Sequence, residues 1–517
     1  MRDLLASVHY SEWVLPVLLL LPLVGAAIIG LLGRPADSGP EVDYEHGRRV
    51  RAIALGTLVL EALISLGLWW AFDATAAGWQ FRVDFPWIPD WGARFTLGVD
   101  GISLFMILLT TCLMPLAILG DWTSVRTRLR SHYALFLVLT TGMIGVFIAL
   151  DLLLFYVFWE IMLVPMYFII GMWGGERRTY ASVKFFIYTM LGSLLMLIAM
   201  IFLWRSTGAT SFAYDSLLSN GNLSQEASFW LFGAFFLAFA IKVPLFPFHT
   251  WLPDAHVEAP TAGSVMLAGV LLKMGTYGLL RFNVGLFPAE ARRNAWWIII
   301  LAIIGIVYGA LVAMVQPNMK KLVAYSSVSH LGFVVLGIFS FTQIGITGGT
   351  FVMLAHGVST GALFTLCGMI YERRHTYDIK EYGGIATPMP IYATFFLVVT
   401  LASIGLPLLN GFVGEFMVLT GAFQAKAVYG IVAATGVIWS ACYMLWLYQR
   451  VFYGEIKNDV NRRLVDLNTR ERTILWPFAA AALIMGVAPV LWTRAIDPAA
   501  QAILTNAAQY TSQVMGR

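Results

Sequence analysis

The stretch Ser228-Phe-Trp-Leu-Phe-Gly-Ala-Phe-Phe-Leu-Ala-Phe-Ala-Ile-Lys242-Val-Pro244-Leu-Phe-Pro247-Phe-His249 is an apolar run interrupted by one lysine and two prolines. Its first part has the composition of a helix that crosses a lipid bilayer. Each proline lacks a backbone N–H and clashes with the preceding helical turn, so a helix must break here. Backbone groups freed at membrane depth survive only inside protein or beside water. The stretch therefore predicts a broken transmembrane helix with Lys242 at its break.

Apolar runs of similar length recur along the whole chain. Of the 517 residues, 59% are hydrophobic and 12% are charged, whereas roughly a quarter of a soluble protein is charged. A membrane-crossing helix needs about twenty mostly apolar residues, and about fourteen such runs are present. They begin near residues 14, 50, 98, 131, 151, 181, 228, 260, 295, 321, 345, 390, 426 and 472. We therefore predict an all-α polytopic membrane protein, whose first run, residues 14–32, is a retained helix and not a signal peptide.

The twelfth run carries a comparable interruption, Gly405-Leu-Pro-Leu-Leu-Asn-Gly-Phe-Val-Gly-Glu415. Paired broken helices in corresponding places indicate inverted repeats with a site between the halves. The spacing of the two breaks predicts two inverted five-helix repeats, helices 4–8 and 9–13, in which helices 7 and 12 are broken. The predicted divisions are residues 1–120 (helices 1–3), 131–282 (first repeat), 295–453 (second repeat) and 472–517 (helix 14 and tail).

The positive charges of the loops predict the orientation in the membrane. Loops after odd-numbered helices, from Arg34 onward, hold more Lys and Arg than loops after even-numbered helices. The richer side should face the cytoplasm, which places both termini in the periplasm. Arg281, Arg292 and Arg293 run against this rule. We expect a bacterial plasma membrane, or the mitochondrial inner membrane if the chain is organellar.

Six ionisable side chains fall within the apolar runs of the two predicted repeats. A charged group at the centre of a membrane helix costs roughly 2.5–3.5 kcal/mol, so its default interpretation is functional. The six are Glu160 in helix 5, Lys242 at the break of helix 7, Lys273 in helix 8, His330 in helix 10, His356 in helix 11 and Glu415 beyond the break of helix 12. Glu61 in helix 2 is also intramembrane but lies outside the repeats, and its role stays open.

These six residues suit proton transfer. Burial favours the neutral form of both lysine and glutamate, and a nearby carboxylate restores the charge of a lysine. Lys242 paired with Glu160 would hold a proton and would release it when the charge of Glu160 moves away. Histidine changes charge near neutral pH, so His330 and His356 suit relay positions. The sequence thus predicts a line of titratable groups through both repeats.

Each of these positions also has a structural interpretation. Glu160 and Lys242 would form a static buried ion pair. Lys273 would extend toward the membrane interface or cap a helix break. The two histidines would be neutral and bonded to backbone carbonyls. Glu415 would satisfy amides freed at the break of helix 12.

No cofactor or metal site is expected on this chain. The three cysteines are far apart and form no CxxC or CxxCH motif, so iron–sulfur, zinc and covalent haem sites have no support. A loop after helix 7 mixes histidine with acidic residues at a spacing that matches no metal motif, and we expect it to be a hydrogen-bonded loop. These residues are His249, Asp254, His256 and Glu258. No basic stripe with interleaved aromatic residues occurs, which argues against a nucleic-acid partner.

The most distinctive motif is Trp251-Leu-Pro-Asp-Ala-His-Val-Glu-Ala-Pro-Thr-Ala-Gly-Ser264, continued by Leu271-Leu-Lys-Met-Gly-Thr-Tyr-Gly278. It closely resembles the proton-channel subunits of respiratory complex I and their relatives in multisubunit cation/proton antiporters. The resemblance covers nearly the whole chain and implies a fourteen-helix fold with inverted repeats. It also implies a role for each buried residue: Glu160 gates Lys242, Lys273 lies at the centre of the path, His330 and His356 are relays, and Glu415 ends the path.

The position of Glu415 discriminates within this family. Most members of the family resemble one another in having lysine at the matching position. One type of complex I subunit has glutamate instead. The residues after the last predicted span are too few for the long lateral helix of the largest family member. The resemblance therefore implies a proton-translocating membrane-arm subunit of NADH:quinone oxidoreductase, with the lipid bilayer and subunits L and N as neighbours. Flavin, iron–sulfur clusters and quinone are expected on partner subunits.

Three other functions stay open at this point. The nearest is a subunit of a cation/proton antiporter that has no redox partner. A purely structural membrane scaffold would leave proton pumping intact when Lys242 is replaced. A small-solute carrier would need a substrate cavity at the breaks, whereas the buried groups here form an extended series.

Overall fold

The computed structural model describes residues 2–33, 40–219 and 223–515. Arg34, which contributes to the predicted loop charges, lies outside the described residues. Within these ranges the chain forms twenty-two α-helices and one two-stranded sheet. Contacts divide the chain into two compact units, Met1–Ala238 and Phe239–Arg517, named here the N-terminal unit and the C-terminal unit.

The helices of the N-terminal unit are mostly long and apolar. They are α1 (Arg2–Ser7), α2 (Tyr10–Leu31), α3 (Pro40–Ala71), α4 (Gly101–Gly120), α5 (Leu129–Ile148), α6 (Leu152–Ile161), α7 (Leu163–Trp173), α8 (Arg178–Thr207), α9 (Tyr214–Ser219) and the greater part of α10 (Gln225–Lys242). Aspartate side chains cap the N-termini of two of these helices. The carboxylates of Asp100 and Asp151 accept hydrogen bonds from free backbone N–H groups in the first turns of α4 and α6. The helices α2, α3, α4 and α5 pack on one another and bury Glu61 among them.

A β-hairpin, which the sequence analysis did not predict, precedes α4. Strands β1 (Gln80–Ile88) and β2 (Ala93–Val99) pair antiparallel. The Asp84 carboxylate accepts hydrogen bonds of 2.8 Å from both Arg94 and Thr96. These bonds, with the charge of Arg94, hold the pKa of Asp84 below its ordinary value.

The C-terminal unit begins with the last residues of α10. Its helices are α11 (Trp251–Glu258), α12 (Thr261–Met266), α13 (Leu272–Gly278), α14 (Pro288–Met314), α15 (Met319–Phe339), α16 (Gln343–Arg374), α17 (Pro390–Ser403), α18 (Asn410–Ala425), α19 (Ala427–Phe452), α20 (Asp459–Arg462), α21 (Thr469–Val487) and α22 (Val490–Met515). The helices α15, α16 and α18 pack on one another. The side chains of α15 and α16 are buried almost throughout, so these two helices form the core of the unit.

Both predicted breaks are confirmed. The helix α10 ends at Lys242 and α11 begins only at Trp251, with Pro244 and Pro247 in the turns between them. The helix α17 ends at Ser403 and α18 begins at Asn410. Gly405 lies between α17 and α18 with a φ of 75°, a left-handed conformation that glycine adopts without the steric cost of a Cβ.

Two further irregularities lie next to predicted site residues. The fifth predicted span changes from α6 to α7 at Met162, directly after Glu160 and Ile161. The eighth contains two π-helical segments, Leu267–Leu271 and Leu279–Val284, on either side of α13. Such π-helical turns are rare and are frequent at functional sites.

The described residues contain eleven helices that are long and apolar enough to cross a membrane, or up to twelve if a bent pair counts as one span. These eleven correspond to all predicted spans except the seventh, the twelfth and the fourteenth. The seventh has polar residues at both ends of α10, the twelfth is divided between α17 and α18, and the fourteenth is bent by 67° between α21 and α22. The chain is thus a mostly helical membrane protein, while the number fourteen and the repeats stay predictions.

Candidate functional site

Lys273 lies at the centre of the C-terminal unit. Its helix α13 is bounded on both sides by π-helical segments, and its side chain is fully buried. The ammonium donates a hydrogen bond to the carbonyl of Ala268 in the first π-helical segment. Lys273 Nζ also lies 2.7 Å from Nδ1 of His356. The widened backbone before α13 therefore supplies an acceptor that helps to hold the lysine beside the histidine.

His356 connects Lys273 with a second histidine. It lies on α16, and its ring centroid is 5.7 Å from that of His330 on α15, at an interplanar angle of 60°. Its Nε2 atom is buried and has no hydrogen-bond partner among the described residues. One ring nitrogen thus faces the lysine, while the other is free to take part in a further transfer.

His330 connects this pair with Glu415. Its Nδ1 atom lies 2.8 Å from Oε1 of Glu415 on α18, and both side chains are buried. Its Nε2 atom is 3.5 Å from the hydroxyls of Ser403 and Tyr443. This contact brings an imidazole and a carboxyl group on different helices within hydrogen-bonding distance. We name the four residues Lys273, His356, His330 and Glu415 the buried relay.

Close packing around the break of the twelfth predicted span positions Glu415. A Cβ on Gly411 would lie 2.1 Å from the carbonyl oxygen of Ala402, so only glycine allows α18 to begin this close to the end of α17. A Cβ on Gly414 would meet the backbone nitrogen of Val352 at 2.9 Å, so α18 also packs closely on α16. These small residues bring α18 near enough for Glu415 to reach His330.

The backbone of Lys242 lies beside the helix that carries Lys273. Lys242 is the last residue of α10, and its side chain is buried. A Cβ on Gly275 would lie 3.0 Å from the carbonyl carbon of Lys242 and 2.7 Å from the nitrogen of Val243. The end of α10 therefore packs directly on the helix that carries Lys273.

Glu160 belongs to the N-terminal unit, whereas Lys242 belongs to the C-terminal unit. It lies in the last turn of α6, is half-buried, and its Oε1 atom has no hydrogen-bond partner in the described ranges. Tyr156, one turn earlier, interacts with the Glu160 side chain. The ion pair of Glu160 with Lys242 stays a prediction.

The segment that was expected to be a loop after helix 7 is partly helical. The helix α11 contains Asp254, His256 and Glu258. Its helical hydrogen bonding continues to Ala259, whose backbone N–H donates to the carbonyl of Ala255. The His256 ring is buried and stacks on Phe364, with centroids 4.4 Å apart. Across the part of the chain that the structure describes, no three His, Cys, Asp or Glu side chains converge as metal ligands.

Lys320 and Glu61 are also buried ionisable residues. Lys320 is one of the basic residues that follow an odd-numbered predicted helix, and it was not predicted as a site residue. Its side chain is buried and donates a 2.7 Å hydrogen bond to the carbonyl of Ala259. No local signal distinguishes it, because a lysine in the first turn of a helix is ordinary. Glu61 is fully buried, and neither carboxylate oxygen has a hydrogen-bond partner within the described residues.

Comparison with known proteins gives a consistent result. Residues 149–440 match the family described as "NADH:quinone oxidoreductase/Mrp antiporter, TM". The chain is 47% identical to NADH-quinone oxidoreductase subunit M of Rhodobacter capsulatus, over 95% of this chain and 96% of that protein. It is 42% identical to NADH-ubiquinone oxidoreductase chain 4 of Marchantia polymorpha, over 91% and 93%. A chain of respiratory complex I from Thermus thermophilus superposes with a TM-score of 0.86 at 35% identity, over 95% and 99%.

Proposed function

Because the chain belongs to the NADH:quinone oxidoreductase/Mrp antiporter family, we propose that it translocates protons as subunit M in the membrane arm of an NADH:quinone oxidoreductase. The observation that carries this proposal is the buried relay of Lys273, His356, His330 and Glu415. Four ionisable side chains are costly to bury at membrane depth without a use. Their contiguity supports proton transfer over four separate packing roles.

The geometry supports a direct first step. When Lys273 is protonated, its ammonium donates a 2.7 Å hydrogen bond to Nδ1 of a neutral His356. Transfer of that proton leaves a neutral amine on Lys273 and moves the positive charge to His356. The imidazolium formed on His356 then carries a proton on each nitrogen. Its Nε2 proton is the one to be passed toward His330.

The second step requires a bridging water or a rotation of a ring, because the two imidazoles are in ring contact and are not hydrogen-bonded to each other. His330 receives the proton on Nε2, the ring nitrogen that faces the hydroxyls of Ser403 and Tyr443. It then delivers the proton on Nδ1 to Glu415. This delivery turns a buried ion pair into two neutral groups, which burial favours.

Glu160 and Lys242 supply the input of this mechanism. Lys242 holds a proton while the Glu160 charge is near and releases it toward Lys273 when that charge moves away. The packing of the end of α10 against Gly275 supports this order, because Gly275 is two residues from Lys273. Redox chemistry on other subunits drives the charge movement of Glu160.

The finer architecture follows from the same proposal. The chain has fourteen transmembrane helices, with two inverted five-helix repeats over residues 131–282 and 295–453. Both termini face the periplasm, or the corresponding side of the mitochondrial inner membrane. Subunits L and N are its neighbours in the membrane arm, and flavin, iron–sulfur clusters and quinone are held by partner subunits.

The alternative is a cation/proton antiporter subunit, since the matching family description includes Mrp antiporters. The names of the relatives in Rhodobacter capsulatus and Marchantia polymorpha favour the oxidoreductase. The two functions differ in their driving reaction. Proton uptake in the antiporter would follow a sodium gradient without NADH.

Proton pumping per NADH oxidised tests the proposal in inverted membrane vesicles that contain the assembled complex. Lys273→Met should abolish most of the pumping, because an apolar side chain of similar length can hold no proton. Lys426→Met removes an exposed lysine from the same unit and should pump as the wild type does. Assembly is checked by NADH oxidation with an artificial electron acceptor, which needs no proton movement.

Normal pumping by Lys273→Met would show that the buried relay is a packing feature. Lys273→Arg keeps a charge and separates loss of the proton site from loss of the fold. Proton uptake that is driven by sodium in the absence of NADH would favour the antiporter.

A further inference from the structure

A cavity of about 780 Å³ lies at one end of the N-terminal unit. It is bordered by the end of α2, the first part of α3 and the segment that leads into α5. The lining includes Gly30, His46, Gly47, Arg126, Arg128 and Arg130. Among the described residues that line it, none is acidic. The cavity is therefore a strongly basic site outside the buried relay.

The basic groups of this cavity have no anionic partner among the described side chains. None of Arg126, Arg128 and Arg130 forms an ion pair with a described acidic residue. Glu45 lies beside His46, but its carboxylate is 3.2 Å from Arg48. The Nε2 atom of His46 is buried and has no hydrogen-bond partner in the described part of the chain. An anion with several acceptor oxygens would satisfy these donors together.

The three arginines are not equivalent. Arg130 donates from Nε to the carbonyl of Ile29 at 3.2 Å and from its terminal nitrogen to Gly30, so it caps the last carbonyls of α2. Arg126 and Arg128 are exposed. These two side chains can turn toward a ligand without loss of a helix cap.

The surroundings of the cavity indicate the class of ligand. The cavity lies at the ends of α2 and α5, two helices long and apolar enough to cross a membrane, and hence at the depth of lipid headgroups. Ile28 and Leu31, next to Gly30, are 46% and 85% exposed and offer an apolar surface for an acyl chain. Trp173 donates to the carbonyl of Thr127 at the same end, as interfacial tryptophans do. A free phosphate would use the arginines but not this apolar surface.

We infer that this cavity binds the phosphate of an anionic phospholipid headgroup, with Arg126, Arg128 and His46 as ligands and with one acyl chain against Ile28 and Leu31. Basic pockets between membrane helices on the cytoplasmic side commonly bind such headgroups. The inference uses the orientation proposed above but does not depend on proton translocation.

The test uses the purified complex in nanodiscs of phosphatidylcholine, with a photoreactive phosphatidylglycerol as the probe. The measured quantity is the concentration of unlabelled phosphatidylglycerol that halves cross-linking to this subunit. The double variant Arg126→Gln/Arg128→Gln should raise that concentration about thirtyfold, which corresponds to about 2 kcal/mol. Arg177→Gln/Arg178→Gln removes two exposed arginines elsewhere in the same unit and should leave it unchanged.

The charge-preserving variant Arg126→Lys/Arg128→Lys should bind nearly as the wild type does, which separates charge from folding. Competition by unlabelled phosphatidylglycerol that is no stronger than dilution of the probe with more phosphatidylcholine would overturn the inference, because it indicates apolar contact alone. Equal competition by inorganic phosphate would assign the cavity to a free anion and would also overturn it. Unchanged cross-linking in Arg126→Gln/Arg128→Gln would also overturn the inference.

Discussion

His330 and Glu415 lie on different helices, and Nδ1 of the histidine is 2.8 Å from Oε1 of the glutamate. They are 85 positions apart in the chain, and Lys273 and His356 are 83 apart. Moving a proton from one member of a pair changes the charge next to the other member, so the two members are coupled. A measurement on any one of these residues therefore reports the pair.

Substitution of both members of the His330 and Glu415 pair tests this coupling. Glu415→Gln and His330→Gln should each remove most of the NADH-driven proton pumping. The double variant should be no worse than the more damaging single change, because both alter one hydrogen-bonded unit. Glu455→Gln removes an exposed glutamate of the same unit and serves as the control. Losses that multiply in the double variant would contradict a shared function.

Sequence reasoning identified the chemistry of the relay residues but not their contacts. Each of the six stood out because a charge is expensive in an apolar run. That criterion says nothing about which side chains meet, since Lys273 reaches His356 only through packing of helices distant in sequence. It also missed Lys320, because burial in a first helical turn leaves no trace in hydropathy.

The four irregularities in the helices near the site have different origins. Proline explains the end of α10, and glycine with proline explains the gap between α17 and α18. The change at Met162 comes three residues before Pro165, which lacks the backbone N–H that would donate to the carbonyl of Ile161. The π-helical segments around α13 contain no proline. Proline therefore accounts for three of the four irregularities, and no local sequence signal predicts the π-helical segments.

The close approach of α17 and α18 predicts a sensitive position. Gly411→Ala would place a methyl group 2.1 Å from the carbonyl oxygen of Ala402, and such overpacking typically costs about 1–3 kcal/mol. We expect a lower melting temperature of the purified complex and reduced pumping, because Glu415 moves with α18. Gly233→Ala introduces a methyl group into open space and should change neither quantity. Equal melting temperatures for the two variants would refute the packing account.

At the scale of the whole molecule, the proposed orientation assigns each connecting segment to one side of the membrane. The loop between α3 and β1 follows the second predicted span and should face the periplasm. The segment around α20 follows the thirteenth and should face the cytoplasm. The excess of Lys and Arg on the second side is the physical basis of this assignment.

Single cysteines in these segments provide the measurement. Ala77→Cys should react with a membrane-impermeant maleimide only in right-side-out vesicles, and Asp459→Cys only in inverted vesicles. Both positions are exposed. The exposed natural cysteines, Cys112 and Cys442, lie within apolar helices and give the background reactivity. The reverse pattern of labelling would invert the proposed topology.

The π-helical segment Leu267–Leu271 also limits how the length of this region can change during evolution or engineering. Each residue of an α-helix advances the side-chain direction by about 100°. Deletion of one residue from this segment would restore ordinary helical phase and would turn Lys273 away from His356 by about that angle. Substitutions that keep the length leave the lysine in place. Insertions and deletions here should therefore be far less tolerated than replacements.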